Sequence, residues 1–285
     1  MSKPMVFVAL PEYGGLVSPD SREAYYCRSD KDSRYIHAVF RHQGSLLANC
    51  FNHCWCKFAN SMHMFDYFVM LHSDVAPSDD WMRVLIAELE ASGYDLMHAV
   101  SPIKDRDGMS STALGHSGKD RRFESKRRIA LHEAKVMLPD TFGTEQALAV
   151  LGTDGFDPVD DLCLMPNTGC MVIRRSEKWR EFPGFQIHDA LVRTSEGELE
   201  PAVMPEDWEL GAWCHRNGLR VGATTKVDVR HAAVTWYDST QQWGYKTDPV
   251  FFRDRTNGKQ VTKHGNQRHQ VVRAEPVDDD ALVRA

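Results

Sequence analysis

Tyr67-Phe68-Val69-Met70-Leu71 is a continuous apolar run of strand length that leads straight into His72-Ser73-Asp74 and then Pro77-Ser78-Asp79-Asp80. A short run that is apolar at every position reads as a strand buried on both faces. Upstream, residues 4–10 form a similar run ending at the turn cluster Pro11-Glu12-Tyr13-Gly14-Gly15, and residues 35–40 are a second strand candidate. Between 35–40 and Tyr67, Ser45 is placed to cap a helix to about Asn60. Its apolar positions Leu46, Leu47, Cys50, Phe51, Cys54, Trp55 and Phe58 recur at helical spacing. Downstream, Ser78 or Asp79 caps a helix over 80–91, Gly93 stops it, and 95–101 returns as a strand. Alternation of strand and helix predicts an α/β fold with a mixed, mostly parallel, Rossmann-like sheet flanked by helices. Ligands of such sheets lie beyond the carboxyl ends of the strands. Tyr13, Asp74 and Lys104 all follow strand ends, so they are expected to meet in one crevice.

The rest of the chain extends the pattern. Residues 102–118 are rich in Gly, Ser and Asp and read as a long functional loop. Residues 162–166 lead into Asn167-Thr168-Gly169, followed by a strand over 170–173. Pro205, a cluster of acids and a closing Gly218 mark a helix over 206–217. Short extended pieces at 221–225 and 227–229 precede His231. Beyond about residue 246 the chain is polar and basic, which divides it into a domain over 1–245 and an appendage over 246–285.

The chain has 285 residues, 42% hydrophobic and 26% charged, with a net charge of −6. These proportions are those of a globular protein and exclude a fibrous or disordered one. No apolar run approaches the roughly 18 residues that span a bilayer, so no membrane span is expected. The run at 6–10 is too short for the apolar core of a leader and reads as a strand. Seven cysteines, an odd number, point to a reducing, cytoplasmic setting. Cys50, Cys54 and Cys56 around His53 suggest zinc, but without a second cluster of matching spacing they read as free thiols. Charge is segregated: residues 119–135 carry +4 and 253–273 carry +5, leaving −15 elsewhere. Both segments are candidates for positive surface facing a polyanion such as nucleic acid, or for ordinary solvated faces.

Three pieces carry chemistry. His72-Ser73-Asp74 places a carboxylate at a strand end, suited to a divalent cation, although an Asp there also simply starts turns. Glu206-Asp207 at a helix start complements the helix dipole, and can equally put a general base at a crevice mouth. His231 follows Asp207 by 24 residues, room for one helix and a returning strand. Trp208, Trp213, Trp236 and Trp243 offer aromatic faces for a sugar or base, or for core packing.

The ordered set of motifs resembles glycosyltransferases of the GT-A fold, family-2-like, with some likeness to phage and bacterial relatives. It runs from Pro11-Glu12-Tyr13 and His72-Ser73-Asp74 through Asn167-Thr168-Gly169-Cys170-Met171-Val172-Ile173-Arg174-Arg175 and Phe182-Pro183-Gly184-Phe185. It continues with Glu206-Asp207-Trp208-Glu209-Leu210, Gly218-Leu219-Arg220-Val221 and His231. The resemblance covers about residues 4–235 and implies a nucleotide-sugar donor as co-substrate with Mn²⁺ or Mg²⁺. It implies that Asp74 and His231, with His72, bind the metal, and that Pro11, Glu12, Tyr13, His72, Asp74 and Lys104 bind the donor. Asp207 becomes the base of an inverting reaction, with Glu206 beside it. Asn167, Thr168, Gly169 and Trp208 fall on the acceptor side. One departure is His72, which stands where the family carries the first Asp of Asp-x-Asp. An imidazole adds no negative charge, which favours Mn²⁺ over Mg²⁺ and leaves room for a binding module that has lost catalysis. A nucleotidyltransferase is the third reading, but no Gly-rich loop with Lys follows the first strand. The acceptor is a hydroxyl on DNA, protein or glycan.

Overall fold

A computed structural model describes residues 3–13, 18–24, 34–104, 107–124, 126–153, 156, 161–193, 197–232 and 236–238. In chain order the elements are β1 (Met5–Tyr13), α1 (Pro19–Glu23), β2 (Ile36–Gly44), α2 (Leu47–Asn60), β3 (Tyr67–Leu71), β4 (Val75–Pro77), α3 (Trp81–Ser92) and β5 (Leu96–Ala99). They continue with β6 (Met109–His116), β7 (Arg127–Ala130), β8 (Thr141–Gly143), α4 (Thr144–Leu151), β9 (Leu162–Met165) and β10 (Cys170–Arg174). The last are β11 (His188–Arg193), β12 (Leu199–Met204), α5 (Glu206–Arg216), β13 (Val221–Thr224), β14 (Val229–Ala232) and β15 (Trp236–Asp238).

The central sheet has seven strands in the order β2-β1-β3-β10-β5-β13-β8. β10 pairs antiparallel with both β3 and β5, and β8 pairs antiparallel with β13, while the other pairings are parallel. The result is the mixed, mostly parallel α/β sheet that the strand–helix alternation predicts, in a Rossmann-like domain.

Period-2 alternation decides which residue faces which layer. Phe7, Ala9, Phe68, Met70, Met171 and Ile173 point to one face, where α2, α5 and the aromatic cluster of Trp179, Phe182 and Phe185 cover them. Val6, Val8, Val69, Leu71, Val172 and Met97 point to the other, beneath Trp81, Leu85, Ile86 and Leu89 of α3. In α2, Cys50, Phe51, Cys54, Trp55 and Phe58 form the buried stripe. Gly93 ends α3 with a φ of 69°, the left-handed conformation that only glycine adopts without penalty.

Several expectations are corrected. Ser45 does not cap α2, whose N-cap is Leu46 without a side-chain hydrogen bond. The N-cap of α3 is Asp80, not Ser78 or Asp79. Residues 102–118 are not one long loop: β6 within them is buried along its whole length and pairs with β7 and β9. Its two serines survive burial because their hydroxyls find carbonyls, Ser110 Oγ donating to Ile129 O at 2.7 Å and Ser111 Oγ to Ser101 O at 3.2 Å.

Much of the positive charge of 119–135 is taken up within the fold. Lys126 and Arg127 are buried, and Arg127 pairs with Glu133 at 2.5 Å. Arg121 pairs with Glu124 and Asp161, and Arg122 with Glu209. The 253–273 segment and the whole 246–285 appendage lie outside the described residues. The six described cysteines are free thiols. Among the described residues, no helix is long and apolar enough to cross a membrane.

Candidate functional site at the strand ends

A cavity of about 800 Å³ opens beyond the carboxyl ends of β1 and β3. Its walls are assembled from segments far apart in the chain. The end of β1 gives Pro11 and Tyr13, the approach to α1 gives Ser18 and Pro19, and α2 gives Leu47 and Phe51. The turn after β3 gives His72, Ser73 and Asp74. Lys104, Asn167, the start of α5 with Glu206 and Asp207, and His231 with Ala232 on β14 complete it.

Backbone hydrogen bonds fix these walls. Because β10 runs against β3, the turn that starts it lies beside the turn that ends β3, and His72 N–H donates to Gly169 O at 2.9 Å. Asn167 Oδ1 accepts from Gly169 N–H at 2.9 Å, which closes that turn on itself. β14 pairs with β4, placing His231 opposite Val75 and next to Asp74. α5 sits close on β9: a Cβ on Gly211 would come within 2.5 Å of Pro166 Cδ and 2.9 Å of Leu164 O. That close approach sets where the first turn of α5, with Glu206 and Asp207, enters the crevice.

Asp74 is the centre of a polar chain. Its Oδ2 lies 2.5 Å from Lys104 Nζ and 3.3 Å from His231 Nε2. His231 Nδ1 is 2.9 Å from Pro102 O, and a carbonyl only accepts, so that nitrogen carries a proton. Burial alone would raise the Asp74 carboxyl, but the facing His231 and the Lys104 ammonium hold it well below the usual carboxylate range. His72 points elsewhere. Its Nε2 hydrogen-bonds Thr168 Oγ1 at 3.2 Å, its ring packs on Phe51 at 4.6 Å, and burial lowers it to about 4, so it is a neutral imidazole.

The divalent-ion site that the resemblance implies at Asp74, His231 and His72 does not fit these residues. Two donors converge rather than three, an ammonium already occupies the Asp74 oxygen, and His72 is engaged by Thr168. Among the described residues, no set of three or more His, Cys, Asp or Glu side chains is arranged to hold a metal ion.

Glu206 and Asp207 both face the cavity. Burial, and then the neighbouring Glu206 carboxylate, push Asp207 well above its ordinary value, against the backbone N–H of Trp208 and the more distant Arg128. Burial likewise raises Glu206. The expectation that the helix N-terminus keeps Asp207 at a lowered value is therefore overturned: desolvation and like charge outweigh the dipole.

Four other sequence candidates lie away from the cavity walls. The Glu12 carboxylate is ion-paired to Arg41. Trp208 is 2% exposed, donates its indole N–H to Ser111 O at 3.0 Å, and packs under the Arg128 guanidinium at 4.7 Å. It is a core residue and not an acceptor platform, because α5 turns its side chain toward β6. Thr168 and Gly169 are buried behind His72 and act on the crevice through it. Sequence reading missed Ser18, Pro19, Leu47, Phe51, Ser73 and Ala232. Leu47 and Phe51 carried a signal in the apolar series of α2, which reads as core, and Ser73 stood inside the His72-Ser73-Asp74 motif without a role of its own.

No protein-family model and no curated protein matches the chain. A solved structure, A197 from STIV, is similar over 94% of this chain and 100% of its own, at 13% identity and a TM-score of 0.40.

Proposed function

We propose that this protein is a GT-A-type glycosyltransferase that moves a sugar from a nucleotide-diphosphate donor to an acceptor hydroxyl. One observation carries the reading: a single crevice at the strand ends gathers the Asp74 chain, the Asn167 turn and the Glu206–Asp207 pair. Its volume falls in the range of small-molecule sites. The ends of β1 and β3 would receive the nucleotide beside Pro11 and Tyr13, and the acceptor would enter beside α5.

In the reaction, the acceptor oxygen forms a bond to the anomeric carbon. The bond from that carbon to the diphosphate oxygen breaks, and its electron pair leaves with the phosphate. The acceptor proton passes to Asp207, a carboxylate whose raised proton affinity makes it a better base than an ordinary surface Asp. Glu206 beside it adds negative charge that favours taking up that proton.

The test is to incubate the full chain with a panel of nucleotide sugars and follow release of the nucleoside diphosphate. Slow hydrolysis of one donor, lost in Asp207→Asn, supports the proposal. A donor that binds but is neither hydrolysed nor transferred to DNA, protein or glycan acceptors makes the chain a binding module. Failure of every donor to bind removes the reading altogether.

A further inference from the structure

The mismatch between Asp74 and a divalent ion has a positive content, which rests on the transferase reading above. We infer that Lys104 is the cation of this crevice: its ammonium, held on Asp74, meets the diphosphate of the donor and takes the place of a divalent metal.

The placement supports this. Lys104 follows β5 and the bridge of Pro102 to Ser110, 30 residues from Asp74, and its Nζ is brought to 2.5 Å from Asp74 Oδ2. The side chain is 41% exposed, so the ammonium faces the open cavity and not the core. An ammonium has three N–H donors, and Asp74 takes one, leaving two for phosphate oxygens. Asp74 is then a positioning residue. His231 approaches the same Oδ2, with its own ring fixed by Pro102 O.

The charges agree. His72 is bonded to Thr168 and turned from the pair, and the charges of Asp74 and Lys104 cancel each other. A divalent ion shared by Asp74 Oδ2 and His231 would have to displace the lysine from that oxygen, and would then lie beside a repelled ammonium. A diphosphate gains instead, because a fixed positive charge waits where negative charge accumulates as the anomeric carbon–oxygen bond breaks and its electron pair moves onto the leaving phosphate. The acceptor proton still goes to the carboxylate pair on α5, so no further reactant enters the balance.

The experiment is calorimetric titration of the full chain with ADP, CDP, GDP, UDP and dTDP, in EDTA and then in excess MnCl₂. One diphosphate is expected to bind with the same affinity in both buffers, within about threefold. Lys104→Met should weaken that diphosphate by about tenfold or more in EDTA, while the matching phosphate-free nucleoside binds as before. Lys104→Arg, which keeps the charge, should restore most of the loss. The nucleoside arm shows that the variants are folded.

Wild-type binding that needs Mn²⁺, or Lys104→Met binding as tightly as wild type in EDTA, would overturn the inference and leave the transferase reading standing. Binding of no diphosphate in either buffer would overturn both.

Discussion

Arg127 and Glu133 form an ion pair at 2.5 Å in which each side chain is only 1% exposed. Glu133 also accepts the Ala130 N–H at 3.0 Å through its second oxygen, so both carboxylate oxygens are engaged. Breaking such a pair leaves one charge buried without its partner. Glu133→Gln should therefore lower stability by about 3–5 kcal/mol in chemical denaturation. The double change Arg127→Met with Glu133→Leu should recover most of that loss, since it removes both charges.

Asp207→Asn should cut donor turnover by about 10²–10⁴-fold with little change in donor binding. The same variant should be more stable than wild type at pH 8. The folded carboxyl binds its proton more tightly than the unfolded one, so its favourable contribution is complete below the ordinary carboxylate range and is lost as pH rises through the raised value. The difference in melting temperature between variant and wild type should thus be near zero at about pH 4 and grow toward pH 8.

Two buried histidines give the opposite slope. Burial lowers His72 and His98 to about 4 each, so unfolding takes up protons as pH falls from the ordinary histidine value. Their stabilising contribution is present at neutral pH and disappears between about 6.5 and 4. His98→Met, which removes one of the two, should reduce the acid-side loss of stability by roughly half, read as denaturation midpoints across that range.

Gly211→Ala tests how the base is aimed. The added methyl meets Pro166 and the Leu164 carbonyl at distances no real Cβ tolerates, so α5 must move away from β9. Stability should fall by about 1–3 kcal/mol. Turnover should fall further than the fraction of unfolded protein explains, because the first turn of α5 shifts with the helix.

What the sequence disclosed follows from burial. Tyr67–Leu71 is apolar throughout because it lies mid-sheet, so both it and the crevice at its end were legible. The buried stripe of α2 was legible for the same reason. β6 was not, because Ser110, Ser111 and Thr112 look like loop residues until the two serine hydroxyls are seen bonded to backbone carbonyls. The charges of 119–135 misled in the same way: counting cannot tell that Arg121, Arg122 and Arg127 each have a carboxylate within reach. The raised Asp207 was illegible because a helix start signals the dipole but not how much water remains there.

The opposed direction of β10 also partitions the molecule for engineering. The strand begins at the crevice, opposite Leu71, and delivers the chain to the distant edge opposite Tyr67. From there Trp179, Phe182 and Phe185 return into the core against α2, while the paired strands β11 and β12 turn Leu191 and Leu199 outward. The outward ends of β11 and β12 can change without touching the turns that hold His72, Asp74 and Asn167. The outward edge can thereby diverge while the crevice stays fixed, a modularity written into one strand's orientation.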